Sequence, residues 1–153
     1  MIQTTLAFLL FLVLSITAGL HVYWAFGGFW PAVSLEDLPK TVIGAKGITQ
    51  MPPTWMTLVV AALIFAAAVA PLVWVGIFPL PIPQLLVLTG MMGLTGVFLL
   101  RGVVGFTPYF GRLHAEEPFR TLDRLYFSPL CIAIGLVFLA VLLLKSTASQ
   151  PSV

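Results

Sequence analysis

Four long apolar runs, separated by turn-forming and polar segments, dominate the pattern of positions along this chain. The runs cover residues 4–26, 54–78, 84–106 and 124–145. Each approaches or exceeds the roughly 20 residues that a helix needs to cross the hydrocarbon core of a bilayer. Because a helix satisfies its own backbone polar groups inside hydrocarbon, the pattern predicts an all-α, polytopic membrane protein. We expect four transmembrane helices in a single bundle, forming one transmembrane domain over residues 1–153.

Proline and glycine mark the ends of the first two spans. Gly27, Gly28 and Pro31 end the first run. The uncharged turn 79–83 has proline at three alternate positions and forces the chain to reverse after the second run. Pro71 falls inside the second run and predicts a kink there.

The start of the last span has two interpretations. Ser128 and Pro129 have the form of an N-cap followed by proline at the first helical position. The span then begins at Pro129, after a short amphipathic helix over residues 118–127. Alternatively, the two pieces form one helix that is kinked at Pro129. The polar tail 146–153 is expected to be disordered.

Four crossings place the connections 27–53 and 107–123 at one membrane face, which we call the loop face, and both termini at the other, the terminal face. Lys40, Lys46, Arg112 and Arg120 lie in these connections, whereas the terminal face has Lys145 and the terminal amine. Basic residues near span ends favour the cytoplasmic side, so we expect the loop face in the cytoplasm and both termini outside. The expected location is the bacterial cytoplasmic (inner) membrane.

Composition excludes several classes of protein. Sixty per cent of the residues are hydrophobic and 8% charged, whereas an average soluble domain has about 25% charged residues. The seven basic residues are too few and too scattered for a nucleic-acid partner. The single cysteine, Cys131, excludes an internal disulfide and is expected to pack as a small apolar residue. A signal peptide at residues 1–20 is disfavoured, because its start has no Lys or Arg and no cleavage motif follows.

Small residues in the second and third spans predict close helix packing. The second run is rich in alanine, and Gly90, Gly93 and Gly96 lie three apart in the third. Small side chains let helices approach each other closely in a membrane. We therefore expect these three glycines to contact a neighbouring helix.

The topology gathers polar and aromatic side chains at the loop face. We predict a ligand-binding site there from seven residues: His21, Tyr23, Trp24, Arg101, Asp123, Arg124 and Tyr126. The alternative for the Trp and Tyr residues is a role as interfacial anchors. No metal-spaced set of Cys and His residues is present, and whether His21 or His114 binds a cofactor stays open.

Two of these residues invite specific expectations. His21 shares a helix face with Thr17 and Trp24 and should face the bundle within reach of the third or fourth span, since an imidazole facing lipid lacks a partner. Arg101 is either an interfacial anchor or the partner of Asp123 or Glu36 inside the mouth of the bundle.

Two short blocks resemble a family of small bacterial four-helix integral membrane proteins catalogued as a domain of unknown function. The blocks are His-x-Tyr-Trp-Ala-x-Gly-Gly from His21 and Tyr-x-Ser-Pro-Leu-Cys from Tyr126. The resemblance covers nearly the whole chain in layout and implies a four-helix architecture. It implies no reaction or substrate. It also implies that eight residues stand at motif positions: His21, Tyr23, Trp24, Gly27, Gly28, Tyr126, Ser128 and Pro129.

Three hypotheses for function remain. In the first, a pocket at the loop face binds or moves a small amphipathic or anionic ligand, such as a lipid head group or a quinone-like molecule. In the second, the protein is a structural or assembly subunit, with a membrane-protein partner or a second copy of itself. In the third, it is a membrane enzyme that uses His21 as acid or base, with Tyr126 or Asp123 as its partner. In all three, the lipid bilayer is a partner.

Overall fold

The structure is a computed structural model of the chain. It describes residues 1–148, with side chains described as far as Leu144. Four long helices are apolar enough to cross a membrane: α1 (Ile2–Ala25), α3 (Thr54–Trp74), α4 (Gln84–Gly105) and α7 (Ser128–Ala148), the last within a spanning segment that starts at Phe119. Three short helices lie in the connections: α2 (Leu38–Val42), α5 (Pro108–Leu113) and α6 (Phe119–Leu122). The described residues form no strand, so the predicted all-α bundle of four membrane-spanning helices is confirmed.

The helix ends differ from the expected bounds in two places. The helix of the second span ends at Trp74, four residues before the predicted end, because Gly76 adopts a left-handed conformation (φ +82°) and turns the chain. Pro71 lies in the last turn of that helix. At the C-terminal end, α7 extends to Ala148, three residues into the tail that we expect to be disordered. Residues 149–153 and the side chain of Lys145 lie outside the described part of the structure.

Helices that follow each other as spans form the two tightest pairs. α1 packs mainly against α3, and α4 packs mainly against α7, while α1–α7 and α3–α4 contacts join the pairs into one bundle. The buried face of α1 consists of Ala7, Leu10, Leu14 and Ala18, spaced three or four residues apart. The bundle core adds Met91 and Phe138, among others.

The small residues that bring α4 close to α7 are not the predicted ones. A Cβ atom added at Gly90, Gly93 or Gly96 would meet no other atom within 4 Å, so these glycines contact no neighbouring helix. The close approach of α4 to α7 occurs after Gly96, at Gly102 and Gly105. A Cβ at Gly102 would lie 2.9 Å from the Ile132 backbone nitrogen, and one at Gly105 would collide with the Ser128 hydroxyl. The expectation was wrong because residue size does not show which face of a helix meets its partner.

Hydrogen bonds at both ends of the bundle confirm the arrangement of faces. At the terminal face, Gln3 Nε2 donates to the Val141 carbonyl at 2.9 Å and joins the first and last helices. At the loop face, Lys46 N–H donates to the Leu113 carbonyl at 2.9 Å, and Gly47 N–H donates to Glu116 Oε1 at 2.9 Å. The two connections therefore lie against each other.

A π-helical turn, Asp123–Phe127, joins α6 to α7 without a break. Ser128 N–H donates to the Asp123 carbonyl, five residues back. Pro129 has no N–H, and its ring crowds the carbonyl four residues earlier, so a widened turn just before it relieves the conflict. Ser128 is therefore not the N-cap of a separate helix, and the interpretation with one continuous helix is correct in that respect.

Candidate functional site

The seven predicted site residues have different surroundings. His21 and Trp24 line an apolar pocket, whereas Arg101 and Asp123 form a buried ion pair elsewhere. The remaining three, Tyr23, Arg124 and Tyr126, are exposed at the loop face.

The His21 pocket lies between the end of α1, the first connection and the start of α3, and encloses about 330 Å³. Apolar side chains dominate its wall. The lining residues are His21, Trp24, Val42, Ile43, Met51, Pro52, Trp55, Met56, Thr57, Val59 and Val60. Trp55 and Val59 are at least half exposed on a helix that is apolar enough to cross a membrane, so part of the rim of the pocket lies on the outer surface of the bundle.

The hydrogen bond of His21 determines which of its nitrogens can act. Nδ1 lies 2.8 Å from the Thr17 carbonyl oxygen. A carbonyl oxygen only accepts, so Nδ1 carries the proton and Nε2 of a neutral imidazole is left as an acceptor. The ring packs against Trp24, with 4.9 Å between ring centroids. Trp24 is held in turn, because its indole N–H donates to the Trp30 carbonyl at 2.6 Å.

The surroundings of His21 correct one expectation. His21 is partly buried, but among the described residues its pocket is lined by α1, α3 and the first connection and by nothing from α4 or α7. The third and fourth spans therefore do not supply the neighbours that we expected. The reason is the pairing of α1 with α3, which directs this face of α1 to the second span.

Tyr23 supports the turn that ends α1. Gly28 N–H donates to the Tyr23 carbonyl at 2.9 Å, and Gly27 has φ +87°. A Cβ at Gly28 would collide with the Tyr23 ring. The positive φ of Gly27 favours glycine, and at Gly28 glycine leaves room for the Tyr23 ring, which packs over the turn and outside the His21 pocket.

Arg101 and Asp123 form an ion pair where α4 meets the π turn. Asp123 Oδ1 accepts from Arg101 Nη2, and Asp123 Oδ2 accepts from the Ser128 hydroxyl at 2.9 Å. The Asp123 side chain is 3% exposed and that of Arg101 32%. Gly105, one turn after Arg101, leaves the space that these polar groups occupy. The alternative in which Asp123 is the partner of Arg101 is therefore confirmed.

A cluster of aromatic rings continues from this ion pair into the two connections. The guanidinium of Arg101 lies 4.7 Å from the centroid of Phe110, which stacks on His114 at 4.1 Å. Phe119 packs against His114 and Phe127 with centroid distances of 5.7 and 5.8 Å. Gly44 of the first connection lies directly against Phe119. The cluster therefore fastens the first connection to the second.

Arg124 and Tyr126 project from the π turn into different depressions. Tyr126 lines a cleft of about 370 Å³ that also includes Asp37 and Lys40. Arg124 lines a separate groove of about 530 Å³, which we call the basic groove. Its lining residues are Lys46, Pro108, Gly111, Arg112, Ala115, Arg120 and Arg124.

Several residues at these sites were not predicted. Gly105 could have been suspected, because it lies four residues after Arg101 and hence on the same helix face. Ser128 was interpreted as a cap, and its bond to Asp123 depends on the π turn. Val42, Ile43 and Met51 reach the His21 pocket only through the fold of the connection, which has no periodic sequence signal. No group of three His, Cys, Asp or Glu side chains suited to a metal ion occurs in residues 1–144.

The four apolar helices and the ordered loop face define a multi-pass integral membrane protein. Within that class, residues 14–138 match the family described as "Protein of unknown function (DUF3995)". The match covers more than half of the chain, so the chain belongs to this family, which confirms the resemblance. No curated protein and no solved structure matches the chain.

Proposed function

We propose that this protein binds a small amphipathic ligand that enters the His21 pocket from the membrane. The observation that carries the proposal is the imidazole of His21 in a wall that is mostly apolar, with the Thr57 hydroxyl and two indoles as its other polar groups. Ligand pockets are typically apolar, with a few polar groups that orient the ligand. The exposed apolar rim at Trp55 and Val59 offers a lateral path from the bilayer.

The chemistry of His21 selects the head of the ligand. Because Nε2 of the neutral ring is an acceptor, the pocket suits an uncharged head with a hydroxyl group, such as a phenol or a quinol. A volume near 330 Å³ holds one ring and the start of an apolar tail. No Lys or Arg lines this pocket, which favours an uncharged amphipathic ligand over an anionic one.

The same geometry disfavours an enzyme in which His21 acts as acid or base together with Tyr126 or Asp123. Tyr126 and Asp123, the suggested partners of His21 in acid–base chemistry, do not line the His21 pocket. Tyr126 lines the cleft beside Lys40, and Asp123 is bound to Arg101 and Ser128. Binding needs only the groups that the pocket contains.

A pair of ligands that differ by one hydroxyl tests the proposal. The full chain, in nanodiscs, is titrated with 4-decylphenol and with decylbenzene, and binding is followed by tryptophan fluorescence. We expect the phenol to bind roughly fivefold more tightly, the usual effect of one hydrogen bond. His21→Leu should abolish the difference, whereas Tyr23→Phe, two residues after His21 and outside the pocket, should preserve it.

Two results would contradict this function. Equal affinity of the wild-type protein for both compounds would remove the role of His21. Failure to bind either compound, together with stoichiometric co-purification of another membrane protein, would favour the assembly-subunit hypothesis.

We further propose that the protein lies in the bacterial cytoplasmic membrane with its loop face in the cytoplasm, on the basis of its distribution of Lys and Arg.

A further inference from the structure

The basic groove brings together four positive charges and has no carboxylate among its lining residues. Lys46, Arg112, Arg120 and Arg124 line it from three segments: the first connection, α5, and the stretch of α6 and the π turn. All four side chains are exposed. Within the described residues, none of them lies within ion-pair distance of a carboxylate.

The neighbouring acidic residues make their hydrogen bonds to groups outside the lining of the groove. Glu116 Oε1 accepts from Gly47 N–H at 2.9 Å, and Glu117 Oε2 accepts from Thr121 N–H at 3.2 Å. Asp123 is bound to Arg101 on the buried side of the π turn. No acidic residue lines the groove. Four like charges that converge in this way repel one another, and an anion would relieve the repulsion.

The groove lies at the boundary between water and hydrocarbon. Arg120 and Arg124 are in the first turns of the last spanning segment, and α5 begins three residues after α4 ends. Leu113 and Leu125, the chain neighbours of Arg112 and Arg124, are exposed apolar side chains. The groove therefore combines cations with adjacent apolar surface at the depth of lipid head groups.

We infer that the basic groove binds the head group of an anionic phospholipid, with its acyl chains lying along the exposed leucines. Arginine has a planar fork of donors that matches phosphate oxygens two at a time, and three of the four cations are arginines. Four positive charges favour a head group with two phosphates over one with a single phosphate. This site shares no residue with the His21 pocket, so it goes beyond the proposed function and is tested independently of it.

Native mass spectrometry of the full chain in detergent, with defined lipids added, tests the inference. The probes are cardiolipin, phosphatidylglycerol and phosphatidylcholine. We expect cardiolipin to bind most tightly and phosphatidylcholine least. Arg120→Gln and Arg124→Gln should each weaken cardiolipin binding about fivefold, the usual contribution of one cation near a membrane surface.

Lys40→Gln is the matched control, because Lys40 carries the same charge on the loop face but lines the Tyr126 cleft. It should change cardiolipin binding less than twofold. An equal effect of Lys40→Gln would show diffuse surface attraction and overturn the site. Displacement of cardiolipin by inorganic phosphate at constant ionic strength would overturn the lipid assignment in favour of a free-phosphate site. Unchanged melting temperatures of the variants would verify that each of them is folded.

Discussion

Asp123 on the π turn accepts hydrogen bonds from Arg101 on α4 through one carboxylate oxygen and from Ser128 on α7 through the other. The carboxylate is thus the point at which two spanning helices and the irregular turn between α6 and α7 are joined. Only 3% of the Asp123 side chain is exposed, so water does not substitute for either partner. A substitution of Asp123 therefore leaves both Arg101 and Ser128 without this partner.

Asp123→Asn should destabilise the protein strongly. Removing one member of a buried ion pair leaves the other charge uncompensated, at a cost of about 3–5 kcal/mol. We expect a loss of about 3 kcal/mol in the free energy of unfolding, because Arg101 is one third exposed and keeps some water. The measurement is thermal or denaturant unfolding in mild detergent. Glu36→Gln, at an exposed carboxylate, is the control, and equal stabilities of the two variants would contradict the role of the ion pair.

Gly105→Ala and Gly93→Ala should have different effects on stability, although both replace a glycine of α4. The new methyl at position 105 would collide with the Ser128 hydroxyl and lie 2.8 Å from Asp123 Oδ2. Overpacking of this kind costs about 1–3 kcal/mol. At position 93 the methyl meets nothing within 4 Å, and the helix propensity of alanine should leave stability unchanged or raise it by up to about 1 kcal/mol. Melting temperatures of the two purified variants decide the matter. Destabilisation by Gly93→Ala alone would show that the α4–α7 contact is misplaced.

Phe119→Ala should loosen the two connections from each other. Phe119 is 4% exposed and contacts His114, Phe127 and Gly44. Truncation of a buried phenylalanine costs about 3–5 kcal/mol. We expect faster proteolysis within residues 27–53 and 107–118. Mass spectrometry of the fragments identifies the cleavage sites. Leu125→Ala, at an exposed apolar position nearby, should leave the cleavage rate unchanged. If both variants are cleaved at the wild-type rate, the aromatic cluster does not hold the connections together.

Cysteine labelling tests the orientation in the membrane. In a Cys131→Ala background, Lys40→Cys reports the loop face and Pro81→Cys reports the terminal face, since residues 79–83 join α3 to α4. The excess of Lys and Arg predicts that an impermeant maleimide added to intact cells labels position 81 and leaves position 40 unlabelled. The reverse pattern would place the basic groove on the outer side. Labelling of both positions from one side would contradict the four-span topology itself.

The amino-acid sequence alone is enough to predict the class of protein, the number of spans and the faces to which the connections belong. These properties depend on local composition: an apolar run of sufficient length must satisfy its backbone as a helix, and proline-rich turns reverse the chain wherever they occur. The helix of the third span, Gln84–Gly105, differs from its predicted bounds by a single residue. The presence of His21, Trp24, Arg101 and Asp123 near one face follows from the same count of crossings.

Which of these residues meet depends on how the helices pack against one another. Gly90, Gly93 and Gly96 form the more regular pattern, yet Gly102 and Gly105 make the close approach, because the contact face of α4 is set by the position of α7. His21 meets the start of α3 and not the last two spans, for the corresponding reason that α1 pairs with α3. The basic groove arises where Lys46 of the first connection meets three arginines of the second connection and the π turn, and composition alone made those charges look scattered. Periodicity describes one helix at a time, whereas a site depends on the relative placement of several.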